Sequence, residues 1–268
     1  MADLTLRTAG KNKGEQKIHL KVQRFLYDKE YARFKEYQLE NWRISYIKRI
    51  FSTLNLKKDD IFLDVGVGGS GYTVIEAARS NVRAIGVDIS SEGMKTAHQF
   101  AENILGAKSS LCDFIVCSAT HLPIKSNSIS KMALIAVLEH IPDDKCVFDE
   151  LSRIMKNKGE LFITVPNTYQ RMLPIFWVYC YFNDRAVGHL RHYKAEALAR
   201  EFLKRGFSVE KIFYHAHIVK AVQFLLHMMF KQLRKPNSRI WWMLEEMDHK
   251  LHKIPVGMQL SLHLKKSA

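Results

Sequence analysis

A glycine-rich stretch with a nearby carboxylate is the most informative chemical signal in the sequence. Gly66, Gly68 and Gly71 match the spacing G-x-G-x-x-G within "LDVGVGGSG". Glycines in such a turn let a ligand approach the backbone closely, at the N-terminus of the helix that follows. Asp88 ends the next apolar run, "VRAIGVD", where a carboxylate can bind both hydroxyls of a ribose. The pattern therefore predicts a ligand that contains a ribose.

Asp64 lies two residues before the first glycine and separates two such ligands, NAD and S-adenosylmethionine. The pyrophosphate of NAD is doubly anionic, so a carboxylate beside it would repel it. S-adenosylmethionine instead carries an ammonium group close to a sulfonium, and a carboxylate stabilises both. Asp64 therefore favours S-adenosylmethionine. The alternative is that Asp64 caps the turn that follows.

His140, in "VLEHIP", is the candidate catalytic residue. It follows a predicted strand, at the sheet edge where ligands bind, and an unperturbed imidazole with a pKa of ~6.5 can accept a proton there. Methyl transfer needs a base only where the acceptor must lose a proton. The alternative is a scaffold histidine that orients its loop. The neighbouring Glu139 is expected to bond to local backbone.

A second polar cluster, "GHLRHY", offers candidate contacts for the acceptor. His189, Arg191, His192 and Tyr193 can donate hydrogen bonds to an anionic or hydroxylated molecule, and Gly188 permits an unusual turn. The same loop suits a lid at the start of a helix. No metal site is expected, because no carboxylate is evident to complete a ligand set with the two histidines.

The elements that position these residues follow from the hydrophobic pattern. Apolar residues recur at helical spacing between Gln16 and Leu54, before any strand. Short apolar runs then alternate with helical patterns, which is typical of a parallel sheet buried on both faces. The predicted strands start at Ile61 and then span 82–88, 112–118, 131–137, 159–166, 207–217 and 256–266.

We therefore predict an α/β fold, a Rossmann-like doubly wound sheet with N-terminal helices and a helical C-terminal insertion. Residues 1–57 form the helical region and 58–168 the nucleotide-binding core. Residues 169–268 supply an acceptor lid, the insertion and the final two strands of the same domain. The aromatic stretch "RMLPIFWVYCYFNDRAVGHLRHY" reads as irregular.

Composition narrows the class of protein. The chain has 268 residues with 41 Lys and Arg against 27 Asp and Glu, a net charge of +14. Such an excess favours nucleic acid, an anionic lipid surface or an acidic substrate as a partner. The four cysteines form no C-x-x-C pair, so buried thiols are expected rather than zinc or disulfides. The sequence shows no secretory signal and no apolar run long enough to span a bilayer, so we expect a cytoplasmic protein.

Five motifs in order resemble a known enzyme family: "FLDVGVGGSG", "AIGVDIS", "VCSATHLPI", "IAVLEHIPD" and "RIMKNKGELFITVPN". They are similar to those of class I S-adenosylmethionine-dependent methyltransferases, most of all the small-molecule branch that includes quinone-biosynthesis enzymes. The resemblance covers residues 58–168, with weaker similarity in "GHLRHYKAEALAREFLKRGF". It implies a methyltransferase with a seven-stranded sheet whose last two strands include an antiparallel one.

The resemblance also implies roles for individual residues. Asp64, Gly66 and Gly68 would contact the methionine part of the cofactor. Asp88 would bind the ribose, and Ile89 would pack on the adenine.

Two positions depart from the family pattern. Ser118 stands where the family commonly has an aspartate that reaches the adenine amino group, and Ala119 follows it as in the family. A serine hydroxyl offers only an uncharged hydrogen bond there. Ser70 occupies the usual place of the third glycine, and Gly71 follows.

Two other functions stay open. An RNA methyltransferase would suit the charge, although "VLEHIP" replaces the N-P-P-Y type of motif that base amino methylation usually shows, and no Pro-Cys nucleophile is present. A non-catalytic module that binds an adenosine ligand is the second. The sequence does not distinguish O-, N- and C-methylation.

The C-terminal region suggests where a lipophilic acceptor could enter. Residues 217–235 are apolar around much of a predicted helix and end in Lys231, Arg234 and Lys235, while 172–182 form a second aromatic stretch. Either could lie at an anionic membrane surface. The alternative is that the two pack together as a lid or form a dimer interface.

Overall fold

The computed structural model describes residues 13–217 and 239–268, and its centre is a seven-stranded β-sheet. The strands are β1 (Ile61–Val65), β2 (Arg83–Asp88), β3 (Cys112–Val116), β4 (Ile129–Ile135), β5 (Met155–Pro166), β6 (Phe207–His215) and β7 (Gln259–Lys266). They lie in the order β3-β2-β1-β4-β5-β7-β6. Strand β7 runs antiparallel to both its neighbours, and the other pairs are parallel. The predicted fold class is therefore confirmed, including the antiparallel strand.

Eight α-helices accompany the sheet within the described ranges. They are α1 (Lys13–Tyr31), α2 (Asn41–Thr53), α3 (Tyr72–Arg79), α4 (Ser91–Leu105), α5 (Asp144–Ile154), α6 (Ile175–Val187), α7 (Ala195–Leu203) and α8 (Arg239–Lys250). Helix α4 shows why they form: Met94, Ala97 and Ala101 recur at helical spacing and are buried. The Ser90 hydroxyl caps its first turn by accepting from the Gly93 N–H at 2.9 Å.

The order of the strands reverses beside β1, which creates the ligand-binding edge of the sheet. Strand β1 pairs with β2 on one side and with β4 on the other. The chain therefore adds β2 and β3 on one side of β1 and the later strands on the other side. Val65 pairs with Val87 and with Leu134. The three strands consequently end at one level, and the crevice above their carboxyl ends is where such folds bind ligands.

Apolar side chains fill both faces of the sheet. One buried cluster joins β4, β5 and β7 to α5 and α7, with Phe148 and Phe202 at its centre. The second joins β1 and β2 to α2, α3 and α4, and includes Phe62 and Phe100. Burial on both faces explains why β1, β2 and β4 are short continuous apolar runs rather than alternating ones.

The stretch from 172 to 182 differs from the sequence prediction, because α6 is a regular helix and not an irregular segment. Pro174 precedes its first residue, and Gly188 ends it in the left-handed region with φ +77°. Proline at the start of a helix and glycine just past its end are common boundary signals, and here the aromatic composition obscured them.

The C-terminal elements agree with the prediction where they are described. Strands β6 and β7 lie within the predicted ranges 207–217 and 256–266, and α8 belongs to the predicted helical insertion. Residues 1–12 and 218–238 are outside the described residues. Most of the amphipathic segment 217–235, including its three terminal basic residues, therefore lies outside them too.

We expect Phe202→Ala to lower the free energy of unfolding by about 3–5 kcal/mol, because it would leave a cavity in the first cluster. The Phe202 ring is fully buried, with its centroid 5.0 Å from that of Phe148 and 5.5 Å from that of Phe207. Phe25→Ala is the matched control, since Phe25 is 68% exposed and its loss should cost less than about 0.5 kcal/mol. Urea unfolding followed by circular dichroism measures both, and equal losses would contradict the assigned core.

Candidate cofactor and acceptor site

The turn after β1 adopts backbone conformations that favour glycine. Gly66 and Gly68 have φ of +78° and +68°, and a Cβ on Gly66 would lie 2.2 Å from Cγ2 of Val137. The N–H groups of Gly66 and Val67 both donate to the Val87 carbonyl, at 2.7 and 3.1 Å. The turn is thereby fixed to the end of β2 and exposes its backbone at the ligand-binding edge.

Asp88 ends β2 and joins the glycine turn to the start of α4. One carboxylate oxygen accepts from the Gly68 N–H at 3.0 Å and the other from the Ser90 N–H at 2.9 Å. Burial raises the pKa of Asp88, and these two hydrogen bonds oppose the rise. A carboxylate has about four acceptor positions, so Asp88 can still accept from two ribose hydroxyls.

Asp64 is nearly fully buried and lies behind the wall of the cavity rather than on it. Its Oδ2 atom accepts from the hydroxyl of Thr73, in the first turn of α3. Its Oδ1 atom is also buried and has no hydrogen-bond partner among the described residues. Burial, with a smaller contribution from the charge of Asp88, raises the pKa of Asp64 to about 7, although the hydrogen bond from Thr73 opposes the rise. Helix α3 has no side-chain cap, so Asp64 bonds to a side chain of its first turn without capping it. Oδ1 is the carboxylate atom left without a partner.

A cavity of about 410 Å³ lies above the carboxyl ends of β1, β2 and β4. Gly66 and Gly68, with Asp88 and Ile89, form its floor and one side. The predicted adenine neighbours Ser118 and Ala119 lie in the wall, and so does His140. Six of the seven predicted cofactor residues are thus brought together around one cavity; Asp64 lies directly behind it.

Helix α1 covers this cavity, which sequence analysis missed. Gln23, Tyr27 and Tyr31 are spaced by four residues and line the cavity from above. The Tyr31 ring packs closely over Gly69, as a Cβ there would be 2.6 Å from its Cγ atom. Asp28, on the same helix, accepts from the Ser90 hydroxyl at 2.5 Å. The four-residue spacing of polar and aromatic side chains was the available signal for an inward face.

The Ser118 hydroxyl is engaged in its own loop. It lies 2.8 Å from the Thr120 hydroxyl and accepts from the Thr120 N–H at 3.3 Å. Such a local turn competes with a bond to a ligand. The weaker adenine contact that the sequence predicts at this position is consistent with this geometry.

His140 lies in the cavity wall beside two aromatic rings. Its ring centroid is 4.8 Å from that of His189 and 6.1 Å from that of Tyr27. Burial and the neighbouring His189 lower the pKa of His140 to about 4. The imidazole is therefore neutral at pH 7 and is a weak base, which favours an orienting role over proton abstraction.

The four predicted acceptor residues of the loop after α6 are held by other protein groups. Arg191 pairs with Asp144 at 2.6 Å, and the Tyr193 hydroxyl donates to the same carboxylate at 3.0 Å. His189 and His192 both contact Asp184, at 2.8 and 2.7 Å. In the described part of the chain these four side chains lie outside the wall of the cavity.

Two carboxylates approach the histidines, an arrangement that the sequence analysis did not predict. Asp184, near the end of α6, contacts both His189 and His192, and Glu139 Oε1 lies 3.9 Å from His189 Nε2. The expectation that no carboxylate accompanies the H-x-x-H pair is therefore wrong. Asp184 precedes the pair within α6, and only the αL turn at Gly188 brings the loop back toward it.

Comparison with known proteins matches one part of the chain to a family. Residues 63–163 match the family described as "Methyltransferase domain". An uncharacterized protein of Methanocaldococcus jannaschii is 30% identical over 112 residues, which are 41% of this chain and 43% of that protein. The chain thus matches less than half the length of that curated relative.

Two solved structures share the fold. One is geranyl diphosphate C-methyltransferase of Streptomyces coelicolor A3(2), bound to Mg²⁺, geranyl diphosphate and S-adenosyl-L-homocysteine. It has a TM-score of 0.67 and 12% identity, and the match covers 92% of this chain and 98% of that one. The other is a protein in complex with the Haloferax volcanii Trm112 methyltransferase activator. It has a TM-score of 0.63 and 16% identity, with 91% and 96% of the two chains covered. Residues 63–163 therefore resemble a methyltransferase domain, and the chain shares the fold of structures that include a complex with S-adenosyl-L-homocysteine.

Proposed function

We propose that this protein transfers a methyl group from S-adenosylmethionine to a small, largely apolar acceptor. The main observation behind this proposal is the cavity of about 410 Å³. The glycine turn and Asp88 line one side of it, and α1 covers the other side. Cavities of about 300–1,000 Å³ with few polar groups are typical of small-molecule sites. The alternative of a binding module without activity shares the cofactor wall but needs no acceptor space.

The residues of the wall suit the cofactor. Asp88 would accept hydrogen bonds from both ribose hydroxyls, and Ile89 would pack against the adenine. Gly66 and Gly68 would let the backbone approach the methionine part. Asp64 would place its free Oδ1 atom near the methionine ammonium, which resolves the unpaired buried oxygen.

The chain contributes positioning more than proton transfer. The bound cofactor supplies an activated methyl group on a sulfonium, so much of the rate can come from holding the acceptor in line with it. Tyr27, on α1, and His140 both line the cavity, where they can orient a polar atom of the acceptor. Burial raises the pKa of Tyr27 and lowers that of His140, so both are neutral hydrogen-bonding groups at pH 7.

The cover that α1 forms over the cavity supports a small molecule over RNA. Leu20, Phe34 and Ile141 contribute apolar surface to the cavity, and α1 lies above it. RNA recognition instead uses an open basic surface with exposed stacking platforms. The same fold holds a lipophilic diphosphate in the geranyl diphosphate enzyme, so an isoprenoid-like acceptor is compatible with it.

Exposed apolar faces beside the cavity support a lipophilic acceptor. Helix α1 exposes Ile18 and Phe25, at 64% and 68%, and α6 exposes Val178 and Phe182, at 66% and 65%. No helix in the described ranges is long and apolar enough to cross a membrane. We propose that these faces contact the acceptor's lipid surroundings peripherally. Lys231, Arg234 and Lys235, which the sequence assigns to that contact, lie outside the described residues.

Asp88→Ala should weaken S-adenosylmethionine binding at least tenfold, because two charge-assisted hydrogen bonds of about 1.5–3 kcal/mol each are lost. Isothermal titration calorimetry measures the affinity. Asp113→Ala is the matched control, since Asp113 lies on the neighbouring β3 with a largely exposed pair to Arg83. Unchanged affinity in Asp88→Ala would remove the ribose assignment, and tighter binding of NADH than of S-adenosylmethionine would restore the NAD alternative.

Cofactor affinity should rise roughly tenfold from pH 6 to pH 8, because Asp64 must lose its proton to bind the ammonium. Its raised pKa of about 7 also means that this carboxyl group's contribution to the stability of the cofactor-free protein falls as pH rises from about 4 through 7. Asp64→Asn should abolish the pH dependence of affinity, and Asp113→Asn should retain it. If Asp64→Asn instead keeps the pH dependence of affinity and only lowers the melting temperature, the role of Asp64 is to bind the Thr73 hydroxyl.

Incubation with methyl-tritiated S-adenosylmethionine and fractionated cell extract should label small molecules or extractable lipids. Asp88→Ala should reduce that label at least tenfold at subsaturating cofactor, because less cofactor is bound. Label in RNA would support the nucleic-acid alternative. Cofactor binding without any transfer to the fractions would support the non-catalytic module.

A further inference from the structure

Three potential ligands converge beside the cavity, at the junction of β4, α6 and the loop that follows α6. Glu139, His140 and His189 each offer one ligand atom, and these atoms lie within 4.8 Å of one another. The rings of the two histidines have centroids 4.8 Å apart and an interplanar angle of 64°. Glu139 is 1% exposed, so the cluster belongs to the interior and not to an acidic surface.

One ring nitrogen of each histidine contacts an acceptor in the protein. His189 Nδ1 donates to Asp184 Oδ1 at 2.8 Å, so the neutral imidazole has its lone pair on Nε2, 3.9 Å from Glu139 Oε1. His140 makes its hydrogen bond with the backbone of Gly188, and its buried Nδ1 has no partner in the described part of the chain. Both imidazoles are therefore placed to offer an unprotonated nitrogen to the cluster.

Glu139 adds a buried carboxyl group to the two imidazoles. Its Oε2 atom is buried and unpaired within residues 13–217 and 239–268. One nitrogen of each imidazole and one oxygen of Glu139 thus lie within 4.8 Å of one another. Buried polar groups in this state are costly, and a proton or a cation must satisfy them.

We infer that Glu139, His140 and His189 bind a divalent first-row transition cation, with Asp184 as the positioning residue that orients His189. Two imidazole nitrogens and one carboxylate oxygen suit Mn²⁺, Fe²⁺ or Zn²⁺ better than Mg²⁺ or Ca²⁺, which prefer oxygen ligands alone. The hydrogen bond from His189 Nδ1 to Asp184 is the arrangement that orients and strengthens histidine ligands in metal sites.

A second set of groups, Asp184, His189 and His192, is close enough to form a site but has other partners. The Asp184 carboxylate already accepts from the Tyr169 hydroxyl at 2.5 Å, in addition to both histidines. His192 Nδ1 contacts the Asn167 carbonyl at 2.6 Å. These groups are satisfied without a cation, so Asp184 supports the site and does not form it.

The position of the cation suggests a role at the acceptor end of the cavity. His140 is both a proposed ligand and part of the cavity wall, so the cation would lie at that wall. There it can bind an oxygen of the acceptor and lower its pKa, which compensates for the weak basicity of His140. This role rests on the proposed function, whereas cation binding itself does not.

Metal-free full-length protein, prepared with a chelator, should bind one equivalent of Mn²⁺ by electron paramagnetic resonance and one of Zn²⁺ by calorimetry, without cofactor present. Glu139→Gln and His189→Ala should each weaken binding at least tenfold. Asp184→Asn should weaken it about 10- to 100-fold through His189. His98→Ala is the matched control, because His98 pairs with Glu102 on an exposed helix surface. This variant should bind the cation with the affinity of the wild type.

Calorimetry with S-adenosylmethionine identifies the variants that are folded. If Glu139→Gln does not fold, His189→Ala still tests the site, because the His189 side chain lies outside the cavity wall. The absence of binding at 1 mM Mn²⁺ and Zn²⁺ in wild type would overturn the inference and leave a proton on Glu139 as the occupant. Equal affinity in wild type and in the folded variants would also overturn it. Cation binding without methyl transfer would confirm the site while refuting the proposed function.

Discussion

The pair of hydrogen bonds that Asp88 accepts from Gly68 and Ser90 is the interaction on which the site depends. It ties the glycine turn after β1 to the first turn of α4, across the point where the strand order reverses. Since the Gly66 N–H also bonds to Val87, the backbone of the turn is held on two sides. A ligand meets a fixed edge there, so little ordering is needed when the cofactor binds.

Helix α1 extends this arrangement from a wall to an enclosure. Asp28 on α1 bonds to the Ser90 hydroxyl, and Ser90 is also the N-cap of α4 and a donor to Asp88. The cover and the cofactor wall therefore share one residue. Tyr31 lies against the glycine turn, which means that the cofactor and α1 must adjust to each other at Gly69. The cover that α1 forms over the cavity is what favours a small acceptor.

Sequence patterns predict the sheet well and locate six residues that line the cavity, because their signals are local. Strand β1, the glycines and Asp88 lie within one continuous stretch, and their spacing alone implies the ribose contact. The contacts of α1 and of Asp184 are different, since they depend on how distant segments pack. The approach of Asp184 to His189 requires the left-handed turn at Gly188, and sequence spacing gives no distance for it. Helix α6 was missed for a different reason. Pro174 and Gly188 mark its two ends in the sequence, but the aromatic composition between them concealed the helix.

Asp64 and Glu139 show how one fold prepares two parts of a site by the same means. Each is a buried carboxylate with one oxygen unpaired among the described residues, and burial raises the pKa of each to about 7 and about 8. An isolated domain gains nothing from such groups, because an unpaired buried carboxylate opposes folding. Under the roles proposed above, their cost would be offset by a cation, either the ammonium of the cofactor at Asp64 or a metal ion at Glu139. The unpaired oxygens would then mark positions where the protein is complementary to its ligands rather than to itself.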